Sequence, residues 1–158
     1  MTFKNSVSPA TSDTSLNKGL LKLRAENSED LTLISTFLQD ALVPFISMTH
    51  DPKTQVFSLL THRFRWEKSP VSQDGSTLYE RINALLNIHH VKNFQKKGLK
   101  NPHNPNQTLN LLCVTSEDNT IILTFSNNIQ VQLSVEKMLV LLGDQNISWP
   151  TPHKPSHS

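Results

Sequence analysis

Apolar positions along this chain change their period several times, and each change predicts an element. Leu21, Leu23 and Ala25 alternate with Lys22 and Arg24, the period-two signature of a short strand. Beyond Asn27 and Ser28, either of which can cap a helix, the period lengthens. Leu31, Ile34, Leu38 and Ala41 recur at helical spacing, with Phe37 and Leu42 widening the stripe. Glu29 and Asp30 place negative charge at the positive end of that helix. Pro44 stops it, which predicts a long amphipathic helix of about four turns.

Strands and hairpins follow. Residues 45–48, the turn at Asp51-Pro52 and residues 55–66 are expected to form a hairpin. In its second arm Val56, Leu60, Phe64 and Trp66 share one face, so Phe64 and Trp66 are expected in the core. Arg63, Arg65 and Glu67 then form a charge ladder on the outer face. Residues 67–77, with Pro70 and Asp74-Gly75, are expected to be a surface loop. Ile82, Ala84, Leu86 and Ile88 predict the next strand, continued by Val91 and Phe94 after a bend. Residues 98–108, rich in Asn and Pro, predict another loop.

Leu109, Leu111 and Cys113 predict a strand that pairs with Ile121, Leu123 and Phe125. Ile129, Val131 and Leu133 alternate in turn, and a two-residue loop would put the two sets on opposite faces. A three-residue loop, Ser126-Asn127-Asn128, reconciles the two, pairing Phe125 with Ile129 and placing Asn128 in the left-handed region. Ser134 can cap a final helix with Val135, Met138, Leu139 and Leu142 on its buried stripe and Gly143 at its end.

The expected fold class is therefore α+β, with one long N-terminal helix and a short C-terminal one. About six to seven strands would make a mostly antiparallel sheet or a partly closed barrel, as in the pleckstrin-homology superfold. Residues 1–18 are polar and aperiodic, and residues 148–158 are rich in Pro and His. Both are expected to be disordered tails on a single domain spanning 19–147.

Composition narrows the function classes. Four glycines among 158 residues form neither GxGxxG nor GxxxxGK[ST], so no phosphate-cradling loop is expected. The lone Cys113 excludes an internal disulfide or a CxxC metal knuckle, and its strand phase suits a small packed hydrophobe. His89 and His90 are adjacent on a strand and would face opposite sides. No metal site, cofactor or catalytic residue is expected. No apolar run reaches the roughly 20 residues that span a bilayer, and the expected location is the cytoplasm.

Charge is more informative. Residues 81–116 hold Arg81, Lys92, Lys96, Lys97 and Lys100 and no acidic residue, although the chain as a whole carries 15 basic and 13 acidic ones. Such asymmetry suits an anionic partner, nucleic acid or anionic lipid. Phe94 is the one aromatic in that stretch, so base stacking has little support. Arg63 and Arg65 are the other candidate binding pair, as a carboxylate or phosphate clamp.

The ordered set LKLRAENSEDLTLISTFLQDALV, RFRWE, RINALLNIHHV and TIILTFSNNIQVQLSVEKM resembles a family of small uncharacterised alphaproteobacterial proteins, a domain of unknown function. The similarity spans roughly residues 19–144. It implies an origin and a compartment, and it brings no catalytic residues. The leading expectation is a non-enzymatic cytoplasmic module that binds a protein partner or self-assembles, with residues 45–48 as a candidate open edge strand. The alternative is weak binding of nucleic acid or anionic lipid through the segment from Lys92 to Lys100. An enzyme using Arg63 or Arg65 with His62 or His90 has the least support.

Overall fold

Strand alternation governs most of this chain once it is folded. The computed structural model describes residues 19–100 and 104–156. They form β1 (Lys22–Ala25), α1 (Ser28–Phe37), β2 (Ala41–Pro44), a 3-10 turn (Phe45–Ser47), β3 (Thr49–Asp51), β4 (Val56–Phe64) and β5 (Val71–Gln73). Then come β6 (Ser76–Ile88), β7 (Val91–Lys97), β8 (Thr108–Glu117), β9 (Thr120–Phe125), β10 (Ile129–Val135) and β11 (Val140–Thr151). The sheet runs β1-β11-β6-β4-β2-β8-β9-β10-β7, with β3 added to β4 and β5 to β6. Its pairings are antiparallel, and it does not close into a barrel.

The α+β expectation is corrected by this architecture: one short helix accompanies eleven strands. Asn27 does cap α1, its Oδ1 accepting from the Asp30 N–H at 2.9 Å, and Leu31 and Ile34 are buried. But α1 stops at Phe37. Asp40 turns to φ 62° and its N–H donates to the Leu111 carbonyl, which delivers Ala41–Pro44 to the edge of β8 as a strand. Ala41, Leu42 and Val43 satisfy period two as well as period 3.6, and a short apolar run cannot separate them. The same ambiguity explains the missing C-terminal helix. Val140 and Leu142 face inward on β11 with Leu141 and Gly143 outward, paired to β6 and β1.

The register of β4 is likewise reversed. Phe57, Leu59, Thr61 and Arg63 point inward, whereas Trp66 is only half-buried. Phe64 is buried on the outer face, under Trp66 and Tyr79 with ring centroids 4.6 and 5.6 Å away. The inner set loses its apolar character at Thr61 and Arg63, so the outer set imitates a core stripe. Residues 45–48 form mainly the 3-10 turn, and β3 is the strand that pairs with Val56–Ser58. Residues 148–151, read as the start of a tail, continue β11 against Ile82–Tyr79. The tail assigned to residues 1–18 lies outside the described residues.

Two corners give the sheet its concavity. The pair β6/β11 continues into the pair β7/β10 through His89-His90, with His90 at φ 60°, and through residues 136–139. The core fills this concavity with Phe57, Leu86, Ile88, Leu111, Leu123, Val131 and Leu142. Helix α1 lies across the opening between β1 and β8, where Ser35 Oγ accepts the Val114 N–H at 2.8 Å. Phe125 pairs with Ile129 and Leu123 with Val131, and Asn127 and Asn128 both take positive φ.

Candidate interaction surfaces

Because Arg63 faces inward from β4, its charge must be neutralised by the protein itself. Its Nε and Nη2 donate to Asp144 Oδ1 and Oδ2, both at 2.8 Å. Nη1 and Nη2 donate to Glu67 Oε1 and Oε2 at 3.0 and 2.7 Å, and Nη1 also reaches the Phe64 carbonyl. Burial works against the charged guanidinium, but these hydrogen bonds and carboxylates outweigh it and raise its pKa. Asp144 Oδ2 accepts the Leu21 N–H as well, which ties β1 to β11.

Arg65 is similarly engaged. Its Nη1 donates to Glu80 Oε2 at 2.7 Å and its Nη2 to the Gly19 carbonyl at 2.9 Å. Lys68 holds the other Glu80 oxygen. Both arginines of the sequence-derived clamp thus serve internal carboxylates, and an external anion would have to displace them. His62 is adjacent to Arg63 and faces the other side, its Nδ1 2.6 Å from Asn83 Oδ1 and its ring 5.5 Å from Trp149. His90 sits at the corner beside His89. Neither histidine meets Arg63 or Arg65.

The basic segment lies mostly on β7, which ends the sheet. Lys92, Lys96 and Lys97 belong to this strand, and Lys100 follows it. They do not converge. Lys96 faces inward opposite Val131, with Nζ 4.5 Å from the Phe45 ring centre and 5.6 Å from that of Phe94. Burial lowers its pKa. Lys92 lies 4.0 Å from Glu136, and Lys97 is exposed. Lys100 borders a recess of about 590 Å³ with Gly98, Asn104, Gln107, Asn127 and Asn128. Lysines on an end strand, one pointing inward, discourage uncontrolled strand addition.

The opposite end of the sheet is a surface that the sequence did not disclose. Lys22 and Arg24 project from β1 onto its outer face, beside Leu141 and Gly143 of β11 and Leu85 of β6. Together with Asn87 and Gln145 they border a recess of about 280 Å³. Leu60 lies opposite Leu85 on β4, so apolar side chains extend across the outer face of three strands. The signal was the alternation from Leu21 to Ala25. It predicted a strand, but its partner, β11, resembled a helix.

Among the described residues no group of three His, Cys, Asp or Glu side chains could hold a metal ion. None of their helices is long and apolar enough to cross a membrane. Cys113 is half-buried beside the bulge at Leu112, where β8 shifts register against β9.

A family model matches residues 21–157. The chain belongs to the family described as a protein of unknown function, DUF2948. That match covers β1 through β11 and so includes both ends of the sheet. Comparison with curated proteins found no match, and comparison with solved structures found none.

Proposed function

We propose that this DUF2948 chain is a non-enzymatic protein-interaction module that works through the ends of its sheet. One observation carries the reading: among the described residues β1 and β7 are each paired on one side only. Both are cationic and neither contains a carboxylate, their sequences being KLRA and VKNFQKK. An unpaired strand offers main-chain donors and acceptors to a second chain. Like charges opposite one another destabilise a strand pair, so two copies meeting edge to edge are opposed. This favours a different protein over self-assembly as the partner.

Binding of nucleic acid or anionic lipid through Lys92 to Lys100 is the less supported reading. Lys96 is spent on Phe45 and Phe94, and the half-exposed Trp66, Tyr79 and Trp149 are on other strands or loops.

Site-specific photocross-linking in the native cell tests the proposal. A photoreactive residue placed at Lys22 or at Phe94 should yield a discrete adduct with another protein. Control positions on the outer face of β9, such as Ile122, should not. Absence of an adduct from both edges overturns it.

A further inference from the structure

Resting on the edge-module reading, we infer that β1 and the recess beside it bind an extended acidic segment of a partner protein. Three observations converge on this strand. The first is the direction of its backbone. Asp144 N–H donates to the Leu21 carbonyl, and Leu21 is in register with Asp144. In an antiparallel ladder the next residues alternate, so Leu23 and Ala25 face β11. The N–H and C=O groups of Lys22 and Arg24 therefore point to the unpaired side.

The second is the recess. Gly143 sits directly opposite Lys22 and between Lys22 and Leu85 in one cross-strand row. Space above Gly143 is open: a Cβ built there meets no atom within 4 Å. Leu85 and Leu141 supply apolar walls, and the volume of about 280 Å³ suits one or two aliphatic side chains. A strand added to β1 would present alternate side chains to this face.

The third is charge. Lys22 is exposed and Arg24 half-exposed on the same face, with Arg24 Nε shared with Glu26. Lys22 is the cation open to an incoming carboxylate. His89 stands near Arg24, and burial, then His90 and Arg24, lower its pKa.

The same charges sort the possible occupants. Residues 1–18 carry Asp13 against Lys4 and Lys18, which is the wrong balance. A second copy would bring β1 or β7, both cationic. An acidic segment from another protein complements the site in charge, in backbone pattern and in its need for an aliphatic anchor.

Amide-resolved NMR titration of the full chain, at low salt, tests this with a capped peptide alternating Glu with Leu. The expected result is shifts concentrated at Lys22, Arg24, Leu85, Leu141 and Gly143, and none with the counterpart carrying Lys in place of Glu. The paired change Lys22→Glu and Arg24→Gln should weaken the acidic peptide by about tenfold or more. Gly143→Val should weaken it without altering the melting temperature, because it fills open space. Equal binding of both peptides, shifts confined to 91–97, insensitivity to the charge change, or no binding at all overturns the β1 site. Cross-links at Phe94 but not at Lys22 would remove this site and leave the module standing. Their absence from both edges would remove both.

Discussion

Arg63 and Asp144, 81 positions apart, form a two-point ion pair in which neither side chain has any solvent exposure. Asp144 also accepts the Leu21 N–H, so one carboxylate joins β1, β4 and β11. Removing Asp144 leaves the buried guanidinium with Glu67 as its remaining carboxylate and strands its Nε and the Leu21 N–H, and breaking a buried pair typically costs about 3–5 kcal/mol. Asp144→Ala should destabilise by that order. The double change Asp144→Leu with Arg63→Met should cost less than Asp144→Ala alone, as measured by urea unfolding.

Acid should loosen the same network. Burial of Glu67 resists ionisation, but the hydrogen bonds and charge of Arg63 outweigh it and hold the carboxyl below its usual range. Glu80 is lowered in the same sense by Lys68 and Arg65, against its own burial. A carboxyl with a depressed folded pKa adds stability that is complete above its unfolded value, near about 4.3. That stability disappears as pH falls through the depressed folded value. Unfolding midpoints should therefore fall below about pH 4.3, and Glu67→Gln should flatten part of that slope.

Aromatic truncations should rank by burial. Phe57 is fully buried in the concavity, and Phe57→Ala should cost about 3–5 kcal/mol. Trp66 is half-buried and donates its Nε1–H to the Gln39 carbonyl at 3.0 Å. Trp66→Ala should cost about 1–2 kcal/mol, within the range of ordinary substitutions. Equal costs in thermal melts would refute the β4 register.

Two glycines should behave in opposite ways. Gly98 has φ +86°, and an added Cβ would lie 2.2 Å from the Asn128 carbonyl oxygen. Gly98→Ala should destabilise by about 1–3 kcal/mol and disturb the β9–β10 hairpin. Gly143→Ala, with open space and no positive φ, should leave the melting temperature within a degree or two.

Lysines on β7 should be worth more in solubility than in stability. Replacing Lys92 and Lys97 with Thr removes charge from an end strand. Sedimentation should then show concentration-dependent association, with little change in the unfolding midpoint.

Much of the sheet was legible because one face of each strand is buried. The β9–β10 hairpin is the clearest case: an alternation that ends at Phe125 and resumes at Ile129 keeps both sets on one face only with a three-residue loop. Residues 41–44 and 134–142 were misread as helix because their apolar runs satisfy both periods, and long-range pairing to β8, β6 and β1 decided between them. Arg63 was misplaced for another reason. Its interior position is made tolerable by Asp144, and no local pattern links residues so far apart. The recess at Gly143 was invisible for the same reason, since it is assembled from three strands that meet only in the fold.

The pairing of β1 with β11 has a consequence for biosynthesis. Leu21 and Asp144 are 123 residues apart, so β1 leaves the ribosome well before β11, the neighbour it pairs with. Until then Leu21 and Leu23 have no sheet to cover them, and α1 has only an incomplete surface to rest on. Contacts of such long separation slow folding and prolong exposure of apolar surface. The sheet of the described residues is therefore complete only once β11 is made, and a message truncated before Val140 would yield a product that cannot seat β1.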